Sequence, residues 1–531
     1  MAVFVDQTRS LPLPLHVLAG LAFAFVAVLA SSITVRRFIV RSNLRRQGYL
    51  QDINKKSIPE LGVDSRFERF SHGYNVSKSG GSLSEKDPFL VWNGTTPEIV
   101  LTQAEHVKEF YSRRSGEHCK PQNANMGHYW GRVMGVCAGA QNGAVWKAIR
   151  KVFDPYFSHE AAMKFADTFE SELVRWREEL APNAGKTATN FTVEATTACR
   201  ILPFKLIAQA CYGEVLTDAM FAELLELNEL HEKVMMTSWF GSSTRSKLYC
   251  MLPTQHKRDM DEFVSRWADY NLRAARECNA KGIRCPVGEM HAEVVKGTIS
   301  EDNWLQTIDE ILFTNLDVTS AILAFLLINL AINQSAQKEL REEVLANGGS
   351  QTKMDTELLG KYIKKSDTLL EYTCMESTRL SPATWFTLPE YVTEDLEIGG
   401  YRIKAGTCCI IDWTRLNIES GIWTPANKEK GLIPGTNEQI TGQTFWPQRF
   451  RQLTPLQYRW SMLRFGLGGR HCIGKNFASL IMKQFLVQVL THYELELAGD
   501  KTRKSFGAIN VNLREDRFTI MPNQDVKFTA I

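Results

Sequence analysis

The segment from Phe465 to Gly474 has the residue types and spacing of a metal-binding loop. It reads Phe-Gly-Leu-Gly-Gly-Arg-His-Cys-Ile-Gly, and glycine lets the backbone approach a flat ligand closely. Cys472 precedes a predicted helix and follows Arg470 by two residues, and positive potential of this kind favours a thiolate. The loop therefore predicts a cysteine that is ready to bind a metal, against the alternative of a buried cysteine in a glycine turn.

Three further groups of residues could carry chemistry. Glu376 and Arg379 are three positions apart in a helical pattern, which puts carboxylate and guanidinium side by side; alone, such a pair is common and weak. Trp146 and Arg150 are one helical turn apart. A long apolar helix carries the polar run Thr314-Asn-Leu-Asp-Val-Thr-Ser320, which holds a carboxylate and several hydroxyl groups.

These motifs resemble those of the cytochromes P450 and occur in the order that the family shows. The glycine-rich loop matches the family pattern Phe-x-x-Gly-x-Arg-x-Cys-x-Gly at Phe465, Gly468, Arg470, Cys472 and Gly474. The resemblance implies that Cys472 is the axial ligand of a haem b iron, and such a thiolate favours O–O cleavage. It also implies that Phe465 shields the sulfur and that Arg470 pairs with a haem propionate. Trp146 and Arg150 are expected to face the propionates.

The resemblance also assigns a structural role to Glu376 and Arg379. The segment Phe445-Trp-Pro-Gln-Arg-Phe450 is similar to the family's Pro-x-Arg-Phe segment, with Gln448 where many members carry glutamate. Because the helix around Glu376 is otherwise apolar, we expect Glu376, Arg379 and Arg449 to form a buried network. In the family this network holds the core on the haem side together, which implies a role in haem incorporation.

The long helix departs from the family pattern of a small residue, glycine, any residue, an acid and threonine. Asp317 takes the acid position, but Asn315 replaces the glycine and Val318 replaces the threonine, with Thr319 one place later. One residue rotates a helical side chain by about 100°, so Thr319 can substitute only if the helix is locally distorted. Asp317, Thr319 and Asn315 are the catalytic candidates for proton delivery, and water or the substrate itself could complete the path instead.

The resemblance implies a monooxygenase that hydroxylates or epoxidises an apolar small molecule. Its electrons would come from NADPH through a flavin reductase, the NADPH-cytochrome P450 reductase, with cytochrome b5 as a second donor. The chain looks most like the membrane-bound P450s of filamentous fungi that act in secondary metabolism, with cyclic-dipeptide toxin pathways as one candidate. Substrate contacts are expected from Val318, Thr384, Trp385 and Phe386.

Two alternative functions stay open. The first is a P450-type enzyme for desaturation, ring closure or oxidative coupling without oxygen transfer, which Val318 motivates. The second is a haem-binding sensor without catalytic turnover.

The elements that would position these residues are mainly helical with a smaller β portion, and the resemblance implies the P450 fold. One helix begins after Ser300, with acidic residues in its first turn that suit the helix dipole, and continues apolar to Ala331. Its apolar run is too short for a membrane span, so we expect a core helix. Shorter patterns predict a helix over about residues 367–380, a hairpin over 396–407 that turns at Gly399 and Gly400, a surface loop over 425–444 and a last helix after Cys472.

The N-terminus predicts a membrane anchor. Residues 15–35 are apolar and long enough to span a bilayer as a helix. Five arginines follow within residues 36–46 and only Arg9 precedes, so the positive-inside rule places the remaining chain in the cytosol. We expect a tail over residues 1–14, a signal anchor over 15–35, a basic linker over 36–60 and a haem-thiolate catalytic domain over 61–531, attached to the endoplasmic reticulum membrane. A cleaved signal peptide is the competing interpretation.

Composition excludes some classes of partner. A formal charge of +3 over 531 residues does not provide the basic surface that nucleic-acid binding requires, so we expect no nucleic-acid partner. The 11 cysteines are scattered without C-x-x-C pairs and are expected to be mostly reduced.

Overall fold

Helices dominate the chain, as predicted. The structure is a computed structural model that describes residues 15–64, 68, 72–112, 118–180, 190–241, 243–351, 354–425, 431–433, 439–499, 513–514 and 519–531. In chain order the α-helices are α1 (Leu15–Arg46), α2 (Gly73–Leu83), α3 (Ala104–Tyr111), α4 (His128–Met134), α5 (Gly143–Phe153), α6 (His159–Lys164), α7 (Ala166–Glu179), α8 (Ala195–Cys199), α9 (Ile201–Tyr212), α10 (Asp218–Phe240), α11 (Gln255–Lys281), α12 (Pro286–Val295), α13 (Glu301–Thr314), α14 (Ser320–Ile332), α15 (Gln334–Ala346), α16 (Thr356–Lys364), α17 (Leu369–Leu380), α18 (Pro455–Tyr458) and α19 (Lys475–His492).

The β portion consists of small sheets. Its strands are β1 (Glu60–Asp64), β2 (Phe89–Asn93), β3 (Thr96–Leu101), β4 (Asn190–Glu194), β5 (Leu396–Ile398), β6 (Tyr401–Ile403), β7 (Cys408–Ile411), β8 (Tyr493–Leu497), β9 (Leu513–Arg514), β10 (Met521–Pro522) and β11 (Asp525–Ala530). One sheet has the order β1-β2-β3-β7, in which only the β2–β3 pair is antiparallel. A second has the order β4-β11-β8 and is antiparallel throughout, and β9 pairs with β10.

The predicted hairpin is the antiparallel pair of β5 and β6. It turns at Gly399 and Gly400, whose φ angles are 56° and 82°. Glycine adopts this left-handed backbone readily, and a two-residue hairpin turn of this kind requires it at both positions.

The long core helix comprises α13, a π-helical turn over Asn315–Thr319 and α14. Ser300 caps its N-terminus in a reciprocal pair with Asn303. Among the described residues, the stretch Glu301–Ile332 is the one helix long and apolar enough to cross a membrane, and 72% of its most apolar window is buried inside the protein. Together with α19, α14 lies in the largest cluster of buried apolar side chains, as expected for a helix that is apolar on all sides.

The first helix extends beyond the predicted anchor. α1 continues to Arg46, and its side chains are described from Ser32 onward, so most of the side chains of the predicted span lie outside the described residues. Arg37 pairs with Asp64 at 3.1 Å and Arg41 pairs with Glu60 at 2.8 Å. The basic end of α1 therefore packs against β1.

The cysteines are mostly free thiols, with one exception among the described residues. Cys278 near the end of α11 and Cys285 before α12 form a disulfide bond. The predicted loop over residues 425–444 lies partly outside the described residues, and its described part contains neither a helix nor a strand, only an isolated bridge between Leu432 and Gln439.

Candidate active site

The loop that contains Cys472 is closed by its own backbone. The Cys472 N–H donates to the Phe465 carbonyl at 2.8 Å. Gly466 and Gly468 have φ angles of 78° and 67°, a conformation that favours glycine. α19 begins at Lys475, so the loop places the thiol just before the N-terminus of a buried helix.

The Cys472 side chain is accessible, although other residues surround it. It is exposed, yet burial among these residues raises the pKa of its thiol. The N–H of Gly474 and the charges of Arg150 and Lys475 lower the pKa, but burial has the larger effect. The neighbouring positive charges therefore act in the predicted direction while burial opposes them, and the binding of a metal would favour ionisation further.

Arg470, Trp146 and Arg150 meet at one edge of this loop. The guanidinium of Arg470 lies 4.9 Å from the centre of the Trp146 ring and donates to the Gln141 carbonyl at 2.6 Å. Arg150, on α5, donates to the His471 carbonyl at 3.0 Å. The three residues that the sequence assigned to haem propionates are thus close together in space.

A buried cluster around Glu390 supports Arg470. The Tyr111 hydroxyl donates to the Glu390 carboxylate at 2.9 Å, Lys120 pairs with it at 2.8 Å, and Nδ1 of His118 lies 3.1 Å away. Burial raises the pKa of Glu390, but Lys120 and His118 outweigh burial and hold that pKa well below its usual range. Arg470 donates to the His118 carbonyl at 3.4 Å. No local pattern could reveal this cluster, because Tyr111 and Glu390 are 279 residues apart.

Glu376, Arg379 and Arg449 form the buried network expected from the sequence. Arg379 donates to both carboxylate oxygens of Glu376 at 2.8 and 2.9 Å, and Arg449 donates to Oε1 at 2.9 Å. No side chain of the three is more than 3% exposed. Burial raises the pKa of Glu376, but the two guanidinium groups outweigh burial and lower it below its ordinary value.

This network reaches the Cys472 loop through Asn417. Arg379 donates to the Asn417 carbonyl at 2.7 Å. The Asn417 side chain accepts the N–H of Leu463 at 3.1 Å and donates to the Leu463 carbonyl at 3.4 Å. Leu463 precedes Phe465 by two residues, so the buried ions fix the backbone that enters the loop.

Glu371, on the same helix α17, provides a second attachment. Its carboxylate accepts a hydrogen bond from Arg464 at 2.6 Å and pairs with Lys483 of α19 at 2.8 Å. Because Arg464 precedes the loop and Lys483 follows it, one carboxylate holds the chain on both sides of Cys472.

The π-helical turn at Asn315–Thr319 supplies the distortion that the sequence required. The Ser320 N–H donates to the Asn315 carbonyl, five residues back, and such a turn places one extra residue in the helix. The Thr319 hydroxyl, however, donates to Oδ1 of Asn315 at 2.6 Å. Asn315 in turn donates to the Ile311 carbonyl. A carbonyl cannot supply a proton, so this chain of hydrogen bonds ends on the backbone.

A cavity of about 130 Å³ lies beside the π-helical turn. Asp317 and Val318 line it, whereas Asn315 and Thr319 are not among the described residues on its wall. The apolar part of the wall includes Trp130, Met134, Met235, Trp239, Phe313 and Leu388. The polar part includes Arg200, Asn228, His231, Glu232, Glu310 and Thr314.

Three predicted substrate contacts lie elsewhere. Thr384, Trp385 and Phe386 are absent from the described residues that line this cavity, where Leu388 is present instead. Trp385 packs against Tyr74, with ring centroids 5.8 Å apart. The segment after α17 therefore turns its two aromatic residues into the core before it reaches the cavity.

Two connections join α10 to the long helix: one runs through Arg200, which lies between α8 and α9, and the other is direct. Arg200 pairs with Glu232 at 2.8 Å and lies 3.7 Å from Asp317. His231 lies 3.0 Å from Asp309. Burial raises the pKa of Asp309, and His231 opposes that rise.

The sequence contains one further signal for this wall, outside the motifs that resemble the family. Asn228, His231, Glu232 and Met235 occur at positions i, i+3, i+4 and i+7 of α10, which is the spacing of residues on one helical face. Polar residues on that face, among buried apolar ones, could have indicated a cavity.

Glu310 connects the cavity with Cys472. Its Oε2 accepts the N–H of Gly139 at 3.0 Å, and a Cβ at position 139 would lie 2.0 Å from Oε1. Burial raises the pKa of Glu310. Its charge also contributes to the raised pKa of Cys472, so the two groups lie within electrostatic reach of each other.

Matches to known proteins decide the family. A model of the cytochrome P450 family matches residues 83–430 and 436–520. The chain belongs to the cytochrome P450 family. It is similar to the cytochrome P450 monooxygenase lepD of Aspergillus flavus, 35% identical over 494 residues that make up 91% of this chain and 92% of the relative. It also resembles the monooxygenases apdB of Emericella nidulans, at 33% identity over 84% and 87% of the two chains, and PUL2 of Kluyveromyces lactis, at 32% identity over 85% and 86%.

Membership makes the chain an oxidoreductase of the P450 monooxygenase type, and its residues suit the haem that P450s carry. The Cys472 thiol is exposed and would be available to bind the iron. Arg470, whose guanidinium lies over the Trp146 ring of α5, and Arg150 can pair with the haem propionates. Phe465 is half-buried at the start of the loop, with the Arg464 guanidinium 5.0 Å from the centre of its ring.

Replacing Glu376 with glutamine should destabilise the protein by about 3–5 kcal/mol, because two buried guanidinium groups lose their carboxylate. Urea denaturation of the purified full chain measures the change in the free energy of unfolding. Since the pKa of Glu376 is lowered on folding, its contribution should be complete above pH about 4.3 and decline only in more acidic solution.

The matched control is Glu357→Gln on α16. Glu357 also pairs with a basic residue of its own helix, Lys361, but the two side chains are 81% and 67% exposed, and exposed pairs contribute little. Equal losses in the two variants would contradict a special role for the buried network.

Proposed function

We propose that this P450 is a haem-thiolate monooxygenase in which Cys472 is the axial ligand of the iron. The observation that carries the proposal is the exposed Cys472 thiol at the end of a glycine-rich loop that its own backbone closes. When bound, the haem supplies the activation of dioxygen. The chain supplies the thiolate, the arginines that hold the propionates, and a cavity in which the substrate is oriented.

Asp317 is the group we assign to proton supply. It lines the cavity, and Arg200 links it to Glu232, whose side chain is 27% exposed. A carboxylate with such a connection toward solvent can exchange protons. Thr319 has a smaller part in this proposal, because its hydroxyl is committed to Asn315, and Asn315 acts by holding that hydroxyl.

The substrate we propose is an apolar small molecule that is hydroxylated or epoxidised in fungal secondary metabolism. The apolar part of the cavity wall supports an apolar body for the ligand, and the relatives that the chain matches come from fungi. The most specific substrate candidate is a cyclic dipeptide from a toxin pathway.

The electrons are proposed to come from NADPH through cytochrome P450 reductase, with cytochrome b5 as a second donor. Lys147 and Lys151 are exposed on α5, beside the Cys472 loop, and basic residues there suit an acidic partner. The anchor over residues 15–35 is proposed to hold the enzyme on the endoplasmic reticulum membrane with its catalytic domain, residues 61–531, in the cytosol.

A second candidate is desaturation, ring closure or oxidative coupling without oxygen transfer. Two observations favour it: Val318 lies on the cavity wall where the family has a threonine, and the hydroxyl of Thr319 is turned to Asn315. Both reduce the hydroxyl groups available beside the substrate.

Changing Cys472 to alanine in the producing organism should abolish formation of the end product and cause one precursor to accumulate. Mass spectrometry identifies the difference between the two compounds. A precursor that lacks one oxygen supports monooxygenation, and one that differs by two hydrogens supports the second candidate. The control is Cys250→Ala, which removes a thiol far from the loop in sequence and should leave the end product unchanged. No accumulation in the Cys472 variant would contradict the ligand assignment or the metabolic role.

With that precursor as substrate, Asp317→Asn should lower the rate of product formation by about a hundredfold, because an amide does not act as a general acid or base near neutral pH. Thr319→Val should stay close to wild type. Rates measured with the purified holoenzyme in water and in heavy water check both, and the solvent isotope effect should change only for Asp317→Asn. A loss in Thr319→Val as large as in Asp317→Asn would show that the proton path runs through Thr319 instead.

A further inference from the structure

Asn228 is a buried amide that points into the cavity. It lies on α10 and is only 9% exposed, and it is one of the residues on the cavity wall. Its side chain has no hydrogen-bond partner among the described residues, although an asparagine amide can donate two hydrogen bonds and accept two. The side chain is therefore buried with its hydrogen-bonding capacity directed at the cavity.

The polar neighbours of Asn228 on α10 each lie beside an acidic or basic side chain of the protein. Glu232 pairs with Arg200 at 2.8 Å, and His231 lies 3.0 Å from Asp309. A buried amide without a partner is unfavourable, and nearly all such groups in folded proteins are paired. Among the polar side chains of α10 on this wall, Asn228 is the one with neither an ion pair nor a hydrogen bond to the described residues, which indicates that its partner arrives from outside the chain.

We propose that Asn228 binds an amide group of the substrate and so selects apolar molecules that carry a lactam or peptide-type amide. The proposal rests on the function proposed above, since the cavity is taken to be the substrate site. A side-chain amide offers a donor and an acceptor in one plane, and a cis amide offers the complementary acceptor and donor. One face of the ligand would pair with Asn228 while its apolar body packs against Trp130, Met235 and Phe313.

The charges on the wall argue against an anionic ligand. Glu232, Glu310 and Asp317 border the same cavity, with Arg200 as the guanidinium among them. A substrate carboxylate would have to approach these carboxyl groups, and like charges repel strongly where water is excluded. A neutral amide avoids that repulsion and still satisfies Asn228.

The test uses three matched probes with one apolar body: 3-benzyl-2-piperidinone, its lactone analogue and benzylcyclohexane. The lactam carries N–H and carbonyl, the lactone only carbonyl, and the hydrocarbon neither. Titration of the purified holoenzyme, followed by the change in haem absorption on binding, gives the three dissociation constants. Wild type should bind the lactam about tenfold more tightly than the lactone, and the lactone more tightly than the hydrocarbon. The reason is that one neutral hydrogen bond to a buried group changes the dissociation constant by about a factor of ten.

Asn228→Leu should remove this order, because leucine has a similar size and no polar atoms. The control Glu229→Gln changes the exposed face of the same helix and should keep the wild-type order. Equal affinity of wild type for all three probes would overturn the proposal and leave Asn228 a hydrated amide only. A preference for the lactam that survives in Asn228→Leu would overturn it as well.

Failure of the proposed function has a different signature. Each holoenzyme is first reduced and treated with carbon monoxide, and the spectrum reports whether a thiolate holds the haem. Wild type without that thiolate signature would refute the assignment of Cys472 whatever the probes do. A normal thiolate signature with no lactam preference refutes the role of Asn228 alone, and a normal signature in Asn228→Leu shows that the variant is folded.

Discussion

The Glu376 carboxylate must stay ionised in the interior of the protein, and the chain around Cys472 is organised to meet that condition. Two guanidinium groups and the N–H of Trp446, at 2.9 Å, bind its oxygens. The guanidinium groups then need acceptors of their own, because a buried donor without a partner is costly. Carbonyls of Asn417, Gly442 and Thr444 meet that need. Ionic hydrogen bonds thus fix segments that have little helix or sheet to define them.

The position of the thiol follows from this arrangement. Asn417 accepts from Arg379 and holds Leu463 through two hydrogen bonds, while Glu371 holds Arg464 before the loop and Lys483 after it. All of these connections start on α17. The loop itself contributes only one backbone hydrogen bond across its ends, from Cys472 to Phe465. The contacts that hold the loop in place therefore come largely from α17. The exposed side of the loop stays available for a flat ligand.

Local patterns in the sequence predicted the parts of the site that depend on short spacing. The Cys472 loop, the Glu376–Arg379 pair and the Trp146–Arg150 turn all lie within ten residues, so a motif could identify them, although the pairing with Arg449 needed the resemblance to P450s. The pKa of the Cys472 thiol could not be predicted in this way, because the effect of burial, which a short motif does not reveal, exceeds that of the neighbouring positive charges.

Two further features, the positions of Trp385 and Phe386 and the cluster around Glu390, depend on tertiary packing. The positions of Trp385 and Phe386 depend on how α2 packs against the segment after α17, and the Glu390 cluster joins residues that are far apart in the chain. The spacing of residues in the sequence predicts neither the aromatic positions nor the Glu390 cluster. The helical period of α10 did contain the polar face with Asn228, but its meaning depends on a cavity that only the folded chain forms.

The replacement of glycine by Asn315 has consequences for the whole cavity. A glycine there would leave the Thr319 hydroxyl without its acceptor, Oδ1 of Asn315, whereas the asparagine binds that hydroxyl and directs it along the helix. Asp317 then remains as the ionisable group of the π-helical turn on the cavity wall, and Arg200 connects it to Glu232 on α10. Glu232 lies four residues after Asn228, one helical turn along the same face. A ligand held at Asn228 would therefore lie next to the proposed proton path, so that movement of α10 would affect substrate binding and proton supply together.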